Sequence, residues 1–190
     1  NASLSPGPAY LSPGPGRVNR RAIEGRLLAD QLDNLNFPRF GYGGTLNVYA
    51  SQGGMGATDT YTKGDISGAW AYSIGNNTLS LAFKAGSNIG GPALPKYDLF
   101  QWGGFLQQSG YSTGQLIGGN LQFARMVYYN KLIHQTFFDG VYAGFSLEAG
   151  RVGAPLVPGS PKGLLKSMAA FLGIDSPVGP LYLGYGRAAG

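Results

Sequence analysis

The chain has 190 residues, with 33 glycines, 12 tyrosines, 10 phenylalanines and no cysteine, and charged residues make up only 12 % of it, about half the usual share of a soluble domain. Hydrophobic residues nevertheless reach just 43 %, and no run approaches the ~18 apolar residues of a membrane helix, which excludes an α-helical membrane protein. The net charge of +5 is spread along the chain, without the basic stripe or groove-reading helix that nucleic acid would require.

A composition this mild suits a transmembrane β-barrel, where only every second residue meets lipid. The four arginines at 17, 20, 21 and 26 form the only basic cluster. They read as interface arginines beside lipopolysaccharide or a turn rather than a phosphate patch. The chain starts Asn1-Ala-Ser without Met and stops at Arg187-Ala-Ala-Gly190, so it reads as a fragment or processed piece.

Residues 1–19 are rich in Pro, Gly and Ser and read as an irregular leader or upstream loop; residues 20–190 read as a partial barrel. About eight strand-like segments are expected in that part. The first, about 20–33, alternates poorly. The second, about 41–51, sets Leu46, Val48 and Ala50 against Thr45, Asn47 and Tyr49. The third, about 60–73, sets Ile66, Gly68, Trp70 and Tyr72 against Lys63, Asp65 and Ser67. Gly75-Asn-Asn77 signals a tight hairpin into the fourth, about 77–86, with Leu79, Leu81 and Phe83 on one face.

A long connection, 87–114, follows. It holds Phe100, Trp102, Gly103, Gly104, Phe105, Ser109, Gly110 and Tyr111, and its own apolar content points to a segment that packs inside the barrel as a plug. The fifth segment, about 115–130, places Leu121, Phe123 and Val127 toward lipid, with Arg125 in conflict on the same face unless a bulge intervenes. The sixth, about 138–150, has the clearest alternation: Val141, Ala143, Phe145, Leu147 and Ala149 against Tyr142, Gly144, Ser146, Glu148 and Gly150. The seventh, about 164–174, has helix-friendly composition; the eighth is about 179–187.

Connections alternate short and long, as barrels with short periplasmic turns and long outer loops do. Trp70, Tyr49, Tyr72, Tyr128, Tyr129, Tyr182 and Tyr185 fit aromatic girdles at the two interfaces.

Four stretches carry a resemblance to one family. Asp30-Gln-Leu-Asp-Asn-Leu-Asn-Phe-Pro-Arg-Phe-Gly41 resembles a strand and turn of the BamA/TamA/FhaC superfamily of outer-membrane barrels. Phe100 to Tyr111 resembles its sixth outer loop, Gly144-Phe-Ser-Leu-Glu-Ala-Gly150 the facing strand, and Ser176 to Gly186 the penultimate strand. The resemblance implies strands eight to fifteen of a sixteen-stranded barrel in the bacterial outer membrane.

It also implies a loop-tip motif of Phe100, Gly103, Gly104, Ser109, Gly110 and Tyr111 meeting Gly144, Ser146, Glu148 and Gly150. Where assembly and secretion members carry a tip arginine, this chain has Ser109, so a hydrogen bond to Glu148 replaces the expected ion pair. A Ser-Gly-Tyr tip resembles the barrels of patatin-like phospholipase type Vd autotransporters. The partners so implied are outer-membrane lipid and lipopolysaccharide, a passenger polypeptide fused upstream, and a second copy if two fragments close one barrel. No cofactor and no nucleic acid is expected.

Gly110-Tyr-Ser112-Thr-Gly114 matches the G-x-S-x-G nucleophile elbow, but Gln107 and Gln108 precede it where a buried apolar strand is required, and a barrel strand follows where a helix is required. His134 is the sole histidine and reads as a turn residue, and Asp30, Asp33, Asp59 and Asp65 are too dispersed for a calcium loop. The fragment is therefore not expected to be an enzyme. Two alternatives share the alternation: a small eight-stranded structural or adhesin-like barrel that closes alone, and a soluble β-sandwich.

Overall fold

A computed structural model describes residues 18–135, 138–157, 159–176 and 178–189, and within 133–135 and 138–139 the backbone alone. The expected leader, 1–19, lies almost wholly outside the described residues.

The chain builds one antiparallel sheet of nine strands. They are β1 (Ala22–Asp30), β2 (Gly41–Ser51), β3 (Tyr61–Ile74), β4 (Asn77–Gly90), β5 (Phe100–Trp102), β6 (Leu116–Gln135), β7 (Phe138–Pro155), β8 (Leu165–Ser176) and β9 (Gly179–Ala189). Each long strand pairs with the next long strand in sequence, leaving β1 and β9 as the two edges. The pairing does not close on itself, so the described strands do not form the self-contained eight-stranded barrel. Strand β5 lies within the long loop and extends the ladder on β6, pairing Trp102 with Leu116 just beyond the last β4 partner, Asn120.

The two faces are inverted relative to a water-soluble sheet. One face exposes Trp70, Tyr72, Leu81, Phe83, Phe145, Leu147, Met168 and Leu172. The other buries Ser73, Thr78, Ser146, Glu148, Ser167 and Asp175 beneath chain folded over it. Large apolar side chains in the open and polar ones covered is the pattern of a wall between hydrocarbon and a polar interior. A soluble sandwich would bury the opposite set. These are called the outer and inner faces below.

The sheet curves around its inner face. Asn34 and Asn36, in the turn between β1 and β2, donate hydrogen bonds to the Asp175 carboxylate on β8 (2.7 and 3.2 Å). Five strand spacings of about 4.8 Å separate β2 from β8 along the sheet, roughly 24 Å, so the turn crosses the mouth as a chord. Phe37 anchors it: only 2 % exposed, the ring stacks on Tyr142 at 4.3 Å, meets Tyr129 edge-on and covers Gly173, where a side chain would strike the ring.

Two expectations are corrected, and the seventh expected segment is borne out as a strand despite its composition. Leu121, Phe123 and Val127 point inward and are buried, so Arg125 shares their parity without any bulge. That face of β6 is apolar because chain covers it, not because lipid does. Residues 165–176 form strand β8, burying Leu165, Ser167, Ala169 and Phe171 and exposing the residues between. Two flanking ladders there outweigh helix-friendly composition. Tyr129, Tyr49 and Tyr182 do not join a girdle: Tyr129 and Tyr182 pack around Phe37, and Tyr49 faces Tyr61.

Candidate functional site: a loop held on the inner face

The connection between β4 and β6 runs from 91 to 115 and lies on the inner face. It is fixed first at its base. A 3₁₀ turn at Lys96–Asp98 presents the buried Asp98 carboxylate to three donors: Lys63 Nζ at 2.6 Å, the Tyr61 hydroxyl at 2.5 Å and Arg20 at 3.3 Å. Beside it Tyr97 donates to Asp59 at 2.5 Å, and burial together with this bond pushes the Tyr97 phenol up to about 12. Phe100 then packs over Gly86, and Trp102 over Phe123 at 4.7 Å.

Gly103 and Gly104, at φ +119° and +122°, turn the chain toward the sheet centre. The tip that follows is tightly held. Gln108 and Ser109 are completely buried. The Ser109 amide donates to Glu148 Oε2 at 2.5 Å and its hydroxyl to Oε1 at 2.8 Å, while the Ser146 hydroxyl also donates to Oε1 at 2.7 Å. Gln108 Nε2 donates to Ser167 Oγ at 2.9 Å and to the Leu165 carbonyl at 3.1 Å. Arg125 Nη1 donates to the Leu106 carbonyl at 2.7 Å.

The sheet is cut away where the tip rests. A Cβ on Gly186 would lie 2.6 Å from Ser109 Cβ, one on Gly184 would strike the Phe105 ring, and one on Gly150 would strike the Gln108 amide. Gly144 lies further along β7, against Tyr129 and Phe171 rather than the tip. Tyr111 packs on the cluster of Leu116, Leu121, Val152 and Leu165. Leu106 (φ +58°) and Gln108 (φ +79°) both hold the left-handed conformation, which non-glycine residues enter at a cost of about 1 kcal/mol or more each. Strain of that kind persists only where surroundings over-determine it, and here five side-chain hydrogen bonds do.

The structure thus brings Ser109, Ser146 and Glu148 into direct contact, sets Gly150 under the tip, and leaves Phe100, Gly103, Gly104 and Tyr111 as packing and steering residues. Sequence reasoning missed Gln108, which ties the tip to β8, and Arg125, which holds the Leu106 carbonyl from β6. The signal for Arg125 was its conflict of parity. A cation among apolar neighbours of one face means that the face looks inward.

The G-x-S-x-G match has no elbow geometry. Ser112 is exposed, its amide bonds to the Gln115 side chain at 2.7 Å, and strand β6 follows. His134 sits at the far end of that 20-residue strand, about 60 Å away at ~3.3 Å per residue, beyond any proton transfer. Among the described residues no three of His, Asp and Glu come together as a metal site.

The Omp85 superfamily domain matches residues 8–189. No curated protein matches the chain.

Proposed function

Because the chain belongs to the Omp85 superfamily, whose outer-membrane β-barrels insert or translocate proteins, we propose that it forms part of a sixteen-stranded translocation barrel whose lumen is plugged by the 91–115 loop. The loop gates passage of a passenger polypeptide to the cell surface. The Ser-Gly-Tyr tip favours the barrel type of patatin-like phospholipase autotransporters, in which the passenger is the fused upstream domain. The described residues position chain and exclude water; none is assigned a chemical step.

One observation carries this reading: the fully buried Ser109, gripped by Glu148 on β7 and seated on Gly186 of β9. A loop held this way fills the space that a polypeptide would need. Passage then requires either release of the tip or parting of the sheet at an edge. Glu148 is a carboxylate receiving three hydrogen bonds, two of them from the loop, so release of the tip breaks this polar cluster together with the apolar contacts of Phe105, Leu106 and Tyr111.

The test uses the absence of cysteine from these 190 residues. In the full-length protein, Ser109→Cys with Gly186→Cys places two thiols within disulfide reach after a shift of about 1 Å. Oxidation is expected to stop surface display of the passenger, read by protease accessibility on whole cells, and reduction to restore it. Undiminished display with the disulfide formed sinks the gating role.

A further inference from the structure

The outer face of the described strands is almost free of charge. Glu24, Lys63, Asp65, Lys84, Arg125 and Glu148 all share the inward parity by register. Among the described side chains three charged ones face outward, and all three are cations on adjacent strands: Arg151 on β7, Lys166 on β8 and Arg187 on β9. Lys166 pairs with Ala149 and with Ala189, so Arg151 and Arg187 each stand two residues along from a direct partner of Lys166. Such diagonal neighbours lie roughly 7–8 Å apart, close enough for three long side chains to converge on one anion. All three side chains are exposed, and no side-chain hydrogen bond or ion pair ties them to another described residue.

Their height is defined. Lys166 stands ten residues along β8 from Ser176, at the long-loop end. At ~3.3 Å per residue and a tilt near 40°, that is about 25 Å above the short-turn end, the thickness of the apolar band of an outer-membrane barrel. Lys166 therefore marks the upper hydrocarbon boundary, with Arg151 one step above and Arg187 one step below, within reach by snorkelling.

Two apolar troughs cross the outer face to this patch. One, about 800 Å³, runs along the hydrogen-bonding direction between a tall wall that includes Trp70, Leu81, Leu147 and Met168 and a low wall that includes Ala124 and Ala149, and Lys166 lies in its lining. The second, about 580 Å³, is lined by Leu46, Val48, Ile66 and Ile89 and reaches Arg151.

We propose that Arg151, Lys166 and Arg187 form a binding site for the phosphate of an outer-leaflet glycolipid, the phosphorylated lipid A of lipopolysaccharide, whose acyl chains lie in the two troughs. Unpaired cations at the headgroup boundary supply the charge complement, arginine forks match phosphate oxygens, and the low alanine wall gives a chain room to lie flat. The site rests on the outer-membrane placement proposed above and is separate from the loop on the inner face.

The test takes the full-length protein extracted from membranes in mild detergent and measures binding of bisphosphorylated lipid A against enzymatically dephosphorylated lipid A. The wild type is expected to prefer the phosphorylated form strongly. Replacing all three cations (Arg151→Gln, Lys166→Gln, Arg187→Gln) is expected to lower affinity about a hundredfold, at ~1 kcal/mol per cation, and to flatten its salt dependence. The charge-preserving triple Arg151→Lys, Lys166→Arg, Arg187→Lys should retain most of it. Equal binding of the two lipids by wild type, or equal affinity in the glutamine triple with native strand content by circular dichroism, overturns the site alone. Recovery of the protein outside the membrane overturns the placement and the site together.

Discussion

Arg125 and Glu148 are direct register partners on β6 and β7, yet each bonds to the loop and not to the other. Arg125 takes the Leu106 carbonyl and Glu148 takes both donors of Ser109, so opposite charges hold the tip from two neighbouring strands. The family resemblance implies a positive charge carried by the loop itself. Here the loop tip contributes only neutral groups, the two Ser109 donors and the Leu106 carbonyl as acceptor, and the cation stands in the wall beside the carboxylate. Charge balance inside the site is kept while the moving part carries none of it. A neutral tip leaves the inner face more readily than a charged one, because no buried ion has to be abandoned by its partner.

Glu148→Ala removes the acceptor of both Ser109 bonds and leaves Arg125 buried with no anion beside it. A cost of about 3 kcal/mol is expected, read as a lower urea midpoint for the heat-modifiable barrel band and as new protease cutting near residues 105–110. Adding Arg125→Gln should return about 1–2 kcal/mol of that loss, since the stranded cation is gone. Strict additivity of the two substitutions would falsify the electrostatic coupling.

Two glycines with positive φ should respond differently to alanine. Gly75, at φ +59° in the β3–β4 turn, has open space where its Cβ would go, so Gly75→Ala carries only the backbone cost of about 1 kcal/mol. Gly110, at φ +91°, faces the backbone of Arg187 and Ala188, which cannot yield as a side chain tip can. Gly110→Ala is expected to lift the tip off β9 and expose Ser109. Thiol labelling of a Ser109→Cys reporter in each background measures this: fast in Gly110→Ala, slow in Gly75→Ala.

Much of this architecture is legible in the sequence, because in a barrel wall the side-chain period is two and errors of parity are visible. Strand β2 falls on its expected bounds, and the outward row of β7, Phe145 and Leu147, is readable from alternation alone. The loop tip and its facing carboxylate are legible only through motif resemblance, since contacts between residues 39 apart leave no local trace. What misleads is the assumption that an apolar face meets lipid. Leu121, Phe123, Val127 and Tyr129 are apolar because the loop and the β1–β2 turn cover them. Hydrophobicity reports loss of water and does not say what replaces it. Arg125 was the one residue in that row able to tell the two apart.

Phe37 predicts how the short-turn mouth is held. Its ring fills the space among Tyr129, Tyr142, Phe171 and Tyr182, while the turn's polar ties include the pair of amide bonds to Asp175 and the bonds that the Tyr129 and Tyr182 hydroxyls donate to the Pro38 and Asn36 carbonyls. Phe37→Ala is expected to cost about 3–4 kcal/mol, while Asp175→Asn, which keeps one acceptor, costs about 1 kcal/mol. Protease cutting within 31–40 should rise sharply in the first variant and little in the second. Equal cutting in both would mean that the amide bonds, not the ring, close the mouth.

Tyr97 gives the loop base a pH dependence at the alkaline end. Burial first, then its bond to Asp59, pushes its phenol up to about 12, against roughly 10 in an unfolded chain. A raised folded value means that folding favours the protonated phenol. The contribution is complete below pH ~10 and is lost as pH rises from there through about 12. The stability gap between wild type and Tyr97→Phe is expected to be constant from pH 7 to 9.5 and to change only above pH 10. The difference in absorbance at 295 nm between the two proteins should titrate with a midpoint near 12. A midpoint near 10 would place the phenol in free solvent and remove Tyr97 from the anchorage of the loop base, leaving Asp98 to hold it alone.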